Sequence, residues 1–127
     1  RAYNTVYGVW KYFTVDDERI DLSKNNYLYI VTLEGYTKIR EYFGADRVVP
    51  IYIEVEDGER LMRAIAREQK QDVPKYEEMC RRFLADSADF SEEKLVEAGI
   101  VRRFSNNDFV RTVREVTAYI ADEIAAG

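Results

Sequence analysis

Histidine is absent from this chain, and cysteine occurs once, at Cys80. Without histidine, neither a Ser-His-Asp nor a Cys-His catalytic arrangement can form. A zinc site or another soft-metal site is disfavoured as well, because such sites need histidine or several cysteines. A single cysteine also rules out an internal disulfide bond. The absence of such a bond is typical of proteins in a reducing compartment.

Long hydrophobic runs are also missing. The longest apolar segments have the length of a strand, far short of the ~20 residues that cross a bilayer, and no signal peptide is visible. The net charge of −5 excludes a general attraction to the phosphates of DNA or RNA. We therefore expect a cytoplasmic protein with no membrane and no nucleic-acid partner.

The composition is otherwise that of a folded domain, with 46% hydrophobic and 34% charged residues and only two prolines. A length of 127 residues suits one compact domain or most of one. The first residue is Arg1 rather than Met, and apolar residues follow at once. This start predicts that the chain is part of a longer gene product.

Aromatic and β-branched residues dominate the beginning of the chain and predict strands at 3–7 and 9–15. An acidic turn at 16–18 precedes residues 20–22, which favours a hairpin. A short helix over 9–13 is the alternative.

The remainder alternates between apolar runs and helical periodicity. Residues 27–33 (YLYIVTL) and 48–55 (VVPIYIEV) are nearly continuous apolar runs, which predict strands covered on both faces.

Gly44 is predicted to end the first helix and Asp57 to cap the second. The polar segment 68–74 is predicted to be a mobile loop. The predicted helices are 35–43, 57–67, 75–88, 91–98 and one that follows Asn106-Asn107-Asp108, with a last strand at 100–104. Alternating strands and helices predict an α/β fold: a parallel sheet with flanking helices, preceded by a β-rich N-terminal lobe.

Arginine is the most informative residue type for function. Arg63 and Arg67 lie four residues apart on one helix, and Arg81 and Arg82 lie on the next helix. Two arginine-bearing helices joined by a loop fit a lid that grips phosphate, because the guanidinium fork binds phosphate oxygens in pairs. The alternative is a set of surface ion pairs with Glu59, Glu77 and Glu78.

Two further positions allow a functional and a structural interpretation. Residues 106–108 (NND) could bind a nucleotide base after the last strand, or cap the final helix, or do both. Cys80 lies on the apolar face of its predicted helix, which favours a place in the core over a role as nucleophile. No G-x-x-x-x-G-K-[ST] motif occurs, so the chain has no evident site for the β- and γ-phosphates of ATP.

In their order, these segments resemble the guanylate kinase family of nucleoside monophosphate kinases. Tyr7-Gly8 is similar to the start of that family's YGT/YGS motif, and residues 27–35 (YLYIVTLEG) resemble its strand ending in D-x-D-x-Q-G. Residues 49–67 and 75–84 resemble the strand, helix, lid and returning helix, with Arg82-Phe83 in place of Arg-Leu. Residues 106–109 (NNDF) resemble the family's N-D-D-L. The similarity extends over nearly the whole chain, although each motif is short.

The resemblance implies a partial P-loop-kinase-like sheet with a helical lid. Residues 1–26 would be part of a β-rich monophosphate-binding lobe, and 27–127 a core α/β domain with its lid at about 63–82. Tyr7 and Thr32 would bind the monophosphate substrate, a GMP-like nucleotide. Arg63, Arg67 and Arg82 would be catalytic, neutralising the transferred phosphoryl group. Asn106 and Arg81 would bind ATP, which the intact protein would use together with Mg²⁺.

Three departures bear on that expectation. Val9 stands where the family has Ser or Thr, and Ile30 and Thr32 stand where it has the two aspartates of D-x-D. These changes remove a hydroxyl and a carboxylate expected near guanine, and a carboxylate expected near magnesium. A non-catalytic guanylate-kinase-like protein-interaction module is therefore the alternative function.

The resemblance also predicts how the chain behaves alone. The family's phosphate loop, and the central strand before it, would precede Arg1 and lie between segments 27–33 and 48–55. Without that strand, two apolar sheet edges would be exposed, through which the chain could self-associate. We expect this chain alone to be inactive as a kinase, to bind neither ATP nor Mg²⁺ tightly, and to be poorly stable or associated.

Overall fold

The computed structural model describes residues 2–6, 10–14 and 20–127, with the backbone alone for the first two segments. Its elements are β1 (Ala2–Val6), β2 (Trp10–Thr14), α1 (Leu33–Phe43), β3 (Tyr52–Glu54), α2 (Asp57–Gln69), α3 (Tyr76–Asp89), α4 (Glu92–Glu97), β4 (Arg103–Ser105) and α5 (Phe109–Ala126). The described part of the chain is thus a helix-rich α/β structure whose parallel sheet has two strands.

The elements form two compact units. Unit 1 consists of Arg1–Val49 and Arg81–Ala98, and unit 2 of Pro50–Cys80 and Gly99–Gly127. In unit 1, β1 and β2 pair antiparallel, and β1 lies near α1. In unit 2, β3 and β4 pair parallel, with α2 following the first strand and α5 following the second.

The N-terminal strands agree with the sequence prediction where the structure describes them. The backbone of β1 and β2 is extended, and Ala2 pairs with Thr14 at the open end. A helix over 9–13 is wrong, because Trp10–Thr14 is a strand. The predicted strand ends at Tyr7, Val9 and Val15 and the acidic turn at 16–18 lie outside the described residues.

Helix α1 begins and ends at local signals in the sequence. The hydroxyl oxygen of Thr32 accepts a hydrogen bond from the Gly35 N–H over 3.1 Å, so the helix starts at Leu33, two residues before the predicted start. At the other end, Gly44 has a φ of +99° and donates its N–H to the Arg40 carbonyl over 2.9 Å. Among the residues of unit 1 from position 20 onward, whose side chains the structure describes, Leu33, Tyr36, Leu95 and Ala98 are buried.

Gly44 provides a direct test of this helix end. Its φ of +99° is one that residues with a Cβ rarely adopt, and a Cβ there would lie 2.9 Å from an Asp46 carboxylate oxygen. We expect Gly44→Ala to lower the free energy of unfolding by about 1–3 kcal/mol. Urea denaturation followed by circular dichroism measures the loss, with Gly127→Ala at the chain end as control. An unchanged midpoint for Gly44→Ala would contradict the strained conformation.

Unit 2 is organised around β4. Phe104 is its most buried side chain, with 1% of its surface exposed, and Ile100, Met79 and Thr112 are buried too. Gly99, with a φ of +75°, ends the segment after α4, and the carboxylate of Asp108 accepts the Arg111 N–H to start α5. The predicted cap at residues 106–108 is thereby confirmed, with Asp108 as the capping residue.

The predicted buried strand over 27–33 is wrong. Residues 25–32 have no regular secondary structure, and Leu33 already belongs to α1. The exposed fractions are 81% for Leu28 and 100% for Ile30. An apolar run becomes a strand only when a neighbouring strand supplies hydrogen bonds, and neither sheet of the described residues includes this segment.

Other boundaries also differ from the sequence prediction. The strand expected over 48–55 is limited to Tyr52–Glu54, and the one expected over 100–104 is Arg103–Ser105, since pairing with each other limits both to three residues. Helix α2 continues through Gln69, so the predicted loop at 68–74 begins two residues later, and the cap of α2 is Glu56 rather than Asp57.

The apolar faces of the helices are less buried than their periodicity predicts. Cys80 is exposed rather than part of the core, and Leu84 and Phe109 expose 68% and 74% of their surface. Periodicity identifies which face is apolar, but what covers that face depends on residues distant in sequence. No helix in the described ranges combines the length and the hydropathy needed to cross a bilayer.

Candidate functional site

The carboxyl edge of the parallel pair in unit 2 brings two predicted site residues together. Strands β3 and β4 run in the same direction, so the segments that leave them towards α2 and α5 lie at one edge. Ligands of open parallel sheets bind at this edge. Asn106 is the first residue after β4, and Arg63 reaches it from α2.

The backbone of Asn106 is held from two sides. Its N–H donates to the Glu54 carbonyl over 2.9 Å, which extends the β3–β4 ladder by one bond. Its carbonyl oxygen accepts a hydrogen bond from Nη2 of Arg63 over 3.0 Å. On the preceding residue, the Ser105 carbonyl accepts a hydrogen bond from the Thr112 hydroxyl over 2.8 Å. The position of Asn106 is therefore fixed by both neighbouring elements.

The Asn106 side chain, by contrast, forms no hydrogen bond with the residues that the structure describes. It is half-buried. A carboxamide offers two donors and an acceptor in one plane, which can match a base that presents an amino group beside a ring nitrogen. The site therefore presents an available polar group on a fixed backbone.

Arg63 has an ion-pair partner, as the alternative interpretation of the arginines predicted. Its Nε donates to Oε1 of Glu59 over 2.8 Å, and 40% of its side chain is exposed. Two of the five N–H donors of the guanidinium, one on Nε and one on Nη2, are thus in use. These two bonds fix the direction of the guanidinium and leave fewer donors for a phosphate.

The other predicted arginines are distributed over both units. Arg67 lies on α2 in unit 2, is exposed, and forms no ion pair with the described residues. Arg81 and Arg82 lie on α3 in the part assigned to unit 1, and both have interaction partners. Tyr7 lies outside the described residues. Of the predicted site residues, the structure brings Arg63 and Asn106 into direct contact.

Carboxylates occupy the starts of the two helices at this edge. Glu56 accepts the N–H groups of Gly58 and Glu59, and these bonds lower the pKa of its carboxyl group. Asp108 caps α5 in the same way. A helix start already bound to a carboxylate disfavours phosphate there. The edge suits a neutral group such as a base better than a phosphate.

An aromatic and cationic cluster, formed by Arg102, Phe104 and Tyr119, packs at β4. The Arg102 guanidinium lies 4.6 Å from the Phe104 ring centroid, and the Phe104 and Tyr119 rings are 5.4 Å apart at 61°. Burial and the neighbouring Glu123 raise the pKa of the Tyr119 hydroxyl. These contacts involve the one fully buried side chain of the described residues and are structural.

Unit 1 contains a cavity of about 330 Å³ between α1 and α4. Its lining residues are Thr32, Leu33, Glu34, Thr37, Asp89, Lys94, Glu97 and Ala98. Thr32, predicted to bind substrate, therefore lies at a cavity, although its hydroxyl already caps α1. Three carboxylates against one lysine favour hydrogen-bond donors over anions. Lys38 pairs with Glu34 over 2.8 Å.

Sequence reasoning missed the acidic lining of this cavity. Asp89, Lys94 and Glu97 come from α3 and α4, far along the chain from Thr32. Their polarity alone is typical of solvent-facing helix positions, so the sequence contains no signal that separates them from other charged residues. Only the packing of α4 near α1 identifies them.

The resemblance implies magnesium, and the residues present do not fit it at the expected position. Magnesium takes oxygen ligands, chiefly carboxylates. Ile30 offers no oxygen in its side chain, and the Thr32 hydroxyl is bound to Gly35. Among the described residues, no three His, Cys, Asp or Glu side chains are grouped as metal ligands.

Comparisons with protein-family models, with curated proteins and with solved structures found no match to this chain.

Proposed function

We propose that this chain is part of a guanylate-kinase-like nucleotide kinase, whose intact form transfers phosphate from ATP to a nucleoside monophosphate such as GMP. The observation that supports the proposal most is the Asn106 carboxamide, which is available at the carboxyl edge of a parallel strand pair while its backbone is fixed by Glu54 and Arg63. The residue expected beside adenine thus lies where parallel sheets bind ligands.

Each unit has its own task in this proposal. In unit 2, Asn106 hydrogen-bonds the adenine base of ATP. Arg67, which is exposed on α2, meets the phosphate of ATP only in the intact protein, where a phosphate-binding loop would hold that phosphate. In unit 1, the cavity at Thr32 receives the base of the monophosphate, since guanine presents ring and amino N–H donors to the carboxylates Glu34, Asp89 and Glu97. ATP would supply the phosphoryl group in the intact protein.

The chain on its own is inactive in this proposal. Phosphoryl transfer depends on positioning and charge neutralisation around the β- and γ-phosphates. No G-x-x-x-x-G-K-[ST] motif is present in the sequence, and the helix starts at the carboxyl edge of unit 2 are occupied by Glu56 and Asp108. ATP would therefore bind through its base alone.

A calorimetric titration of the chain tests the proposal. We expect GMP to bind, and ATP with Mg²⁺ to bind no more tightly than adenosine, with dissociation constants of ~1 mM for a contact through the base alone. Thr37→Val tests the cavity, which Thr37 lines, and Thr117→Val on α5 is the matched control. GMP binding should be weaker in the first variant and unchanged in the second. ATP binding far tighter than adenosine binding would contradict the proposal.

A non-catalytic interaction module is the second candidate, and one observation favours it. Ile30, at the position of an expected aspartate, is fully exposed beside Leu28. An exposed apolar segment is typical of surfaces that contact other proteins. Absence of binding by GMP and by adenosine in the same titration would favour this function over the kinase.

A further inference from the structure

We propose that Arg63 is a positioning residue, which holds the backbone of Asn106 so that its carboxamide faces the nucleotide base, rather than a ligand of the transferred phosphate. This inference rests on the proposed function for its ligand and on the geometry of unit 2 for its mechanism. It changes the assignment of Arg63 that the resemblance implies.

Arg63 donates a hydrogen bond to the Asn106 carbonyl. The two residues are 43 positions apart, and the bond between them joins α2 to the segment after β4. Hydrogen bonds from a charged donor are shorter and stronger than neutral ones. With the Asn106 N–H bound to Glu54 over 2.9 Å, both peptide groups of Asn106 are restrained.

Arg63 is itself oriented by a hydrogen bond to Glu59. Glu59, one helical turn earlier, accepts a hydrogen bond from Nε over 2.8 Å, which directs the remaining nitrogens of the guanidinium towards Asn106. A planar guanidinium can serve two acceptors in fixed directions, which a lysine ammonium cannot do with the same geometry. Arg63 therefore bridges the Glu59 side chain and the Asn106 backbone through two hydrogen bonds.

Arg67, on the same helix, differs from Arg63 in its contacts. It lies one turn further along α2, about 6 Å along the helix axis, and forms no ion pair with the described residues. An arginine that forms no ion pair with these residues keeps all five of its N–H donors for a phosphate. The two arginines of one helix face thus differ in function: Arg63 serves the backbone, and Arg67 remains available to ligand.

The test measures backbone protection and base binding separately. We expect Arg63→Gln to raise the hydrogen-exchange rate of the Asn106 backbone N–H about tenfold without any ligand. The variant loses the charge-assisted bond to the Asn106 carbonyl, so the backbone of Asn106 can move away more easily from Glu54, which accepts this N–H. Arg63→Gln should also weaken adenosine binding by a similar factor. Arg63→Lys should restore part of both. Arg60→Gln is the matched control, with the same charge change one turn earlier on α2.

Each result decides the inference. Faster exchange and weaker adenosine binding in Arg63→Gln, with neither in Arg60→Gln, support a positioning role. Unchanged exchange overturns it, whether or not adenosine binds. Faster exchange with unchanged adenosine affinity also overturns it, because Asn106 would then bind the base equally well without the hydrogen bond from Arg63. If the unsubstituted chain binds no adenosine, the proposed function fails, and the exchange comparison still decides whether Arg63 holds Asn106.

Discussion

The chain of 127 residues is expected to associate with itself in solution, and lysine at positions 28 and 30 is expected to return it to a monomer. Leu28 and Ile30 expose 81% and 100% of their surface within the apolar run 27–31. Such a run, rich in aromatic and β-branched residues and free of charge and proline, pairs readily with another strand. The large effect is expected because the two most exposed apolar side chains of the run are replaced by charge.

A second copy of the chain suits this segment because the segment is complementary to itself. In an antiparallel pair centred on Tyr29, Leu28 lies opposite Ile30 and Tyr27 opposite Val31, so every pair is apolar. Lysine at both 28 and 30 would place two like charges opposite each other in each half of the pair.

Light scattering coupled to gel filtration measures the association. Leu28→Lys/Ile30→Lys is compared with Met62→Lys, which adds a charge at another apolar side chain, 67% exposed, on α2. We expect the first variant to be monomeric and the second to remain associated. An unsubstituted chain that is monomeric and unfolds in one cooperative step would contradict the prediction.

Phe104→Ala is expected to remove a large part of the stability of unit 2. Phe104 has 1% of its surface exposed, and its ring contacts Tyr119 and the Arg102 guanidinium. Truncating a buried phenylalanine costs about 3–5 kcal/mol, through lost burial and the cavity that remains. Since domains are stable by only ~5–15 kcal/mol, this change uses a large part of the total.

The matched control is Phe109→Ala, which removes the same atoms from a side chain that is 74% exposed, five residues later. A surface truncation of this kind should change the free energy of unfolding by about 0.5 kcal/mol or less. Urea denaturation followed by amide signals of α5 reports on unit 2. Equal midpoints for the two variants would show that Phe104 is not the centre of its core.

The helices could be predicted because their signals are local. Thr32, Gly44, Ser91 and Asp108 each act within a few residues of the helix end they define, through bonds such as the one from the Gly35 N–H to Thr32. The 3.6-residue periodicity likewise identified α3 and α5. Boundaries moved by one or two residues where two caps were available, as for Glu56 and Asp57.

The strands could be predicted only in part, because a strand depends on its partner. Residues 52–54 and 103–105 pair across some fifty residues of sequence, and nothing local determines how many residues pair. Residues 27–33 have the same apolar character, yet remain without regular structure up to Thr32. Composition expresses the tendency to form a strand and contains no information on the neighbour.

In the candidate site, too, the local features could be predicted from the sequence and the contacts between distant residues could not. Sequence reasoning selected Arg63 and Asn106 separately, from helix spacing and from their position after a strand. Neither signal predicts the bond of 3.0 Å between the Arg63 guanidinium and the Asn106 carbonyl, which requires α2 and β4 to be neighbours. The exposure of Cys80 was missed for a similar reason, since it depends on what packs beside α3.

Whether the carboxyl edge of unit 2 binds adenine can be measured on the side-chain amide resonances of Asn106. During an adenosine titration of the isotope-labelled chain, we expect the Asn106 carboxamide signals to shift with saturation, and those of the neighbouring, exposed Asn107 to shift much less. Shifts confined to the Asn106 carboxamide and the adjoining backbone would support the proposed site. Unmoved Asn106 signals, at adenosine concentrations that shift resonances elsewhere, would contradict it.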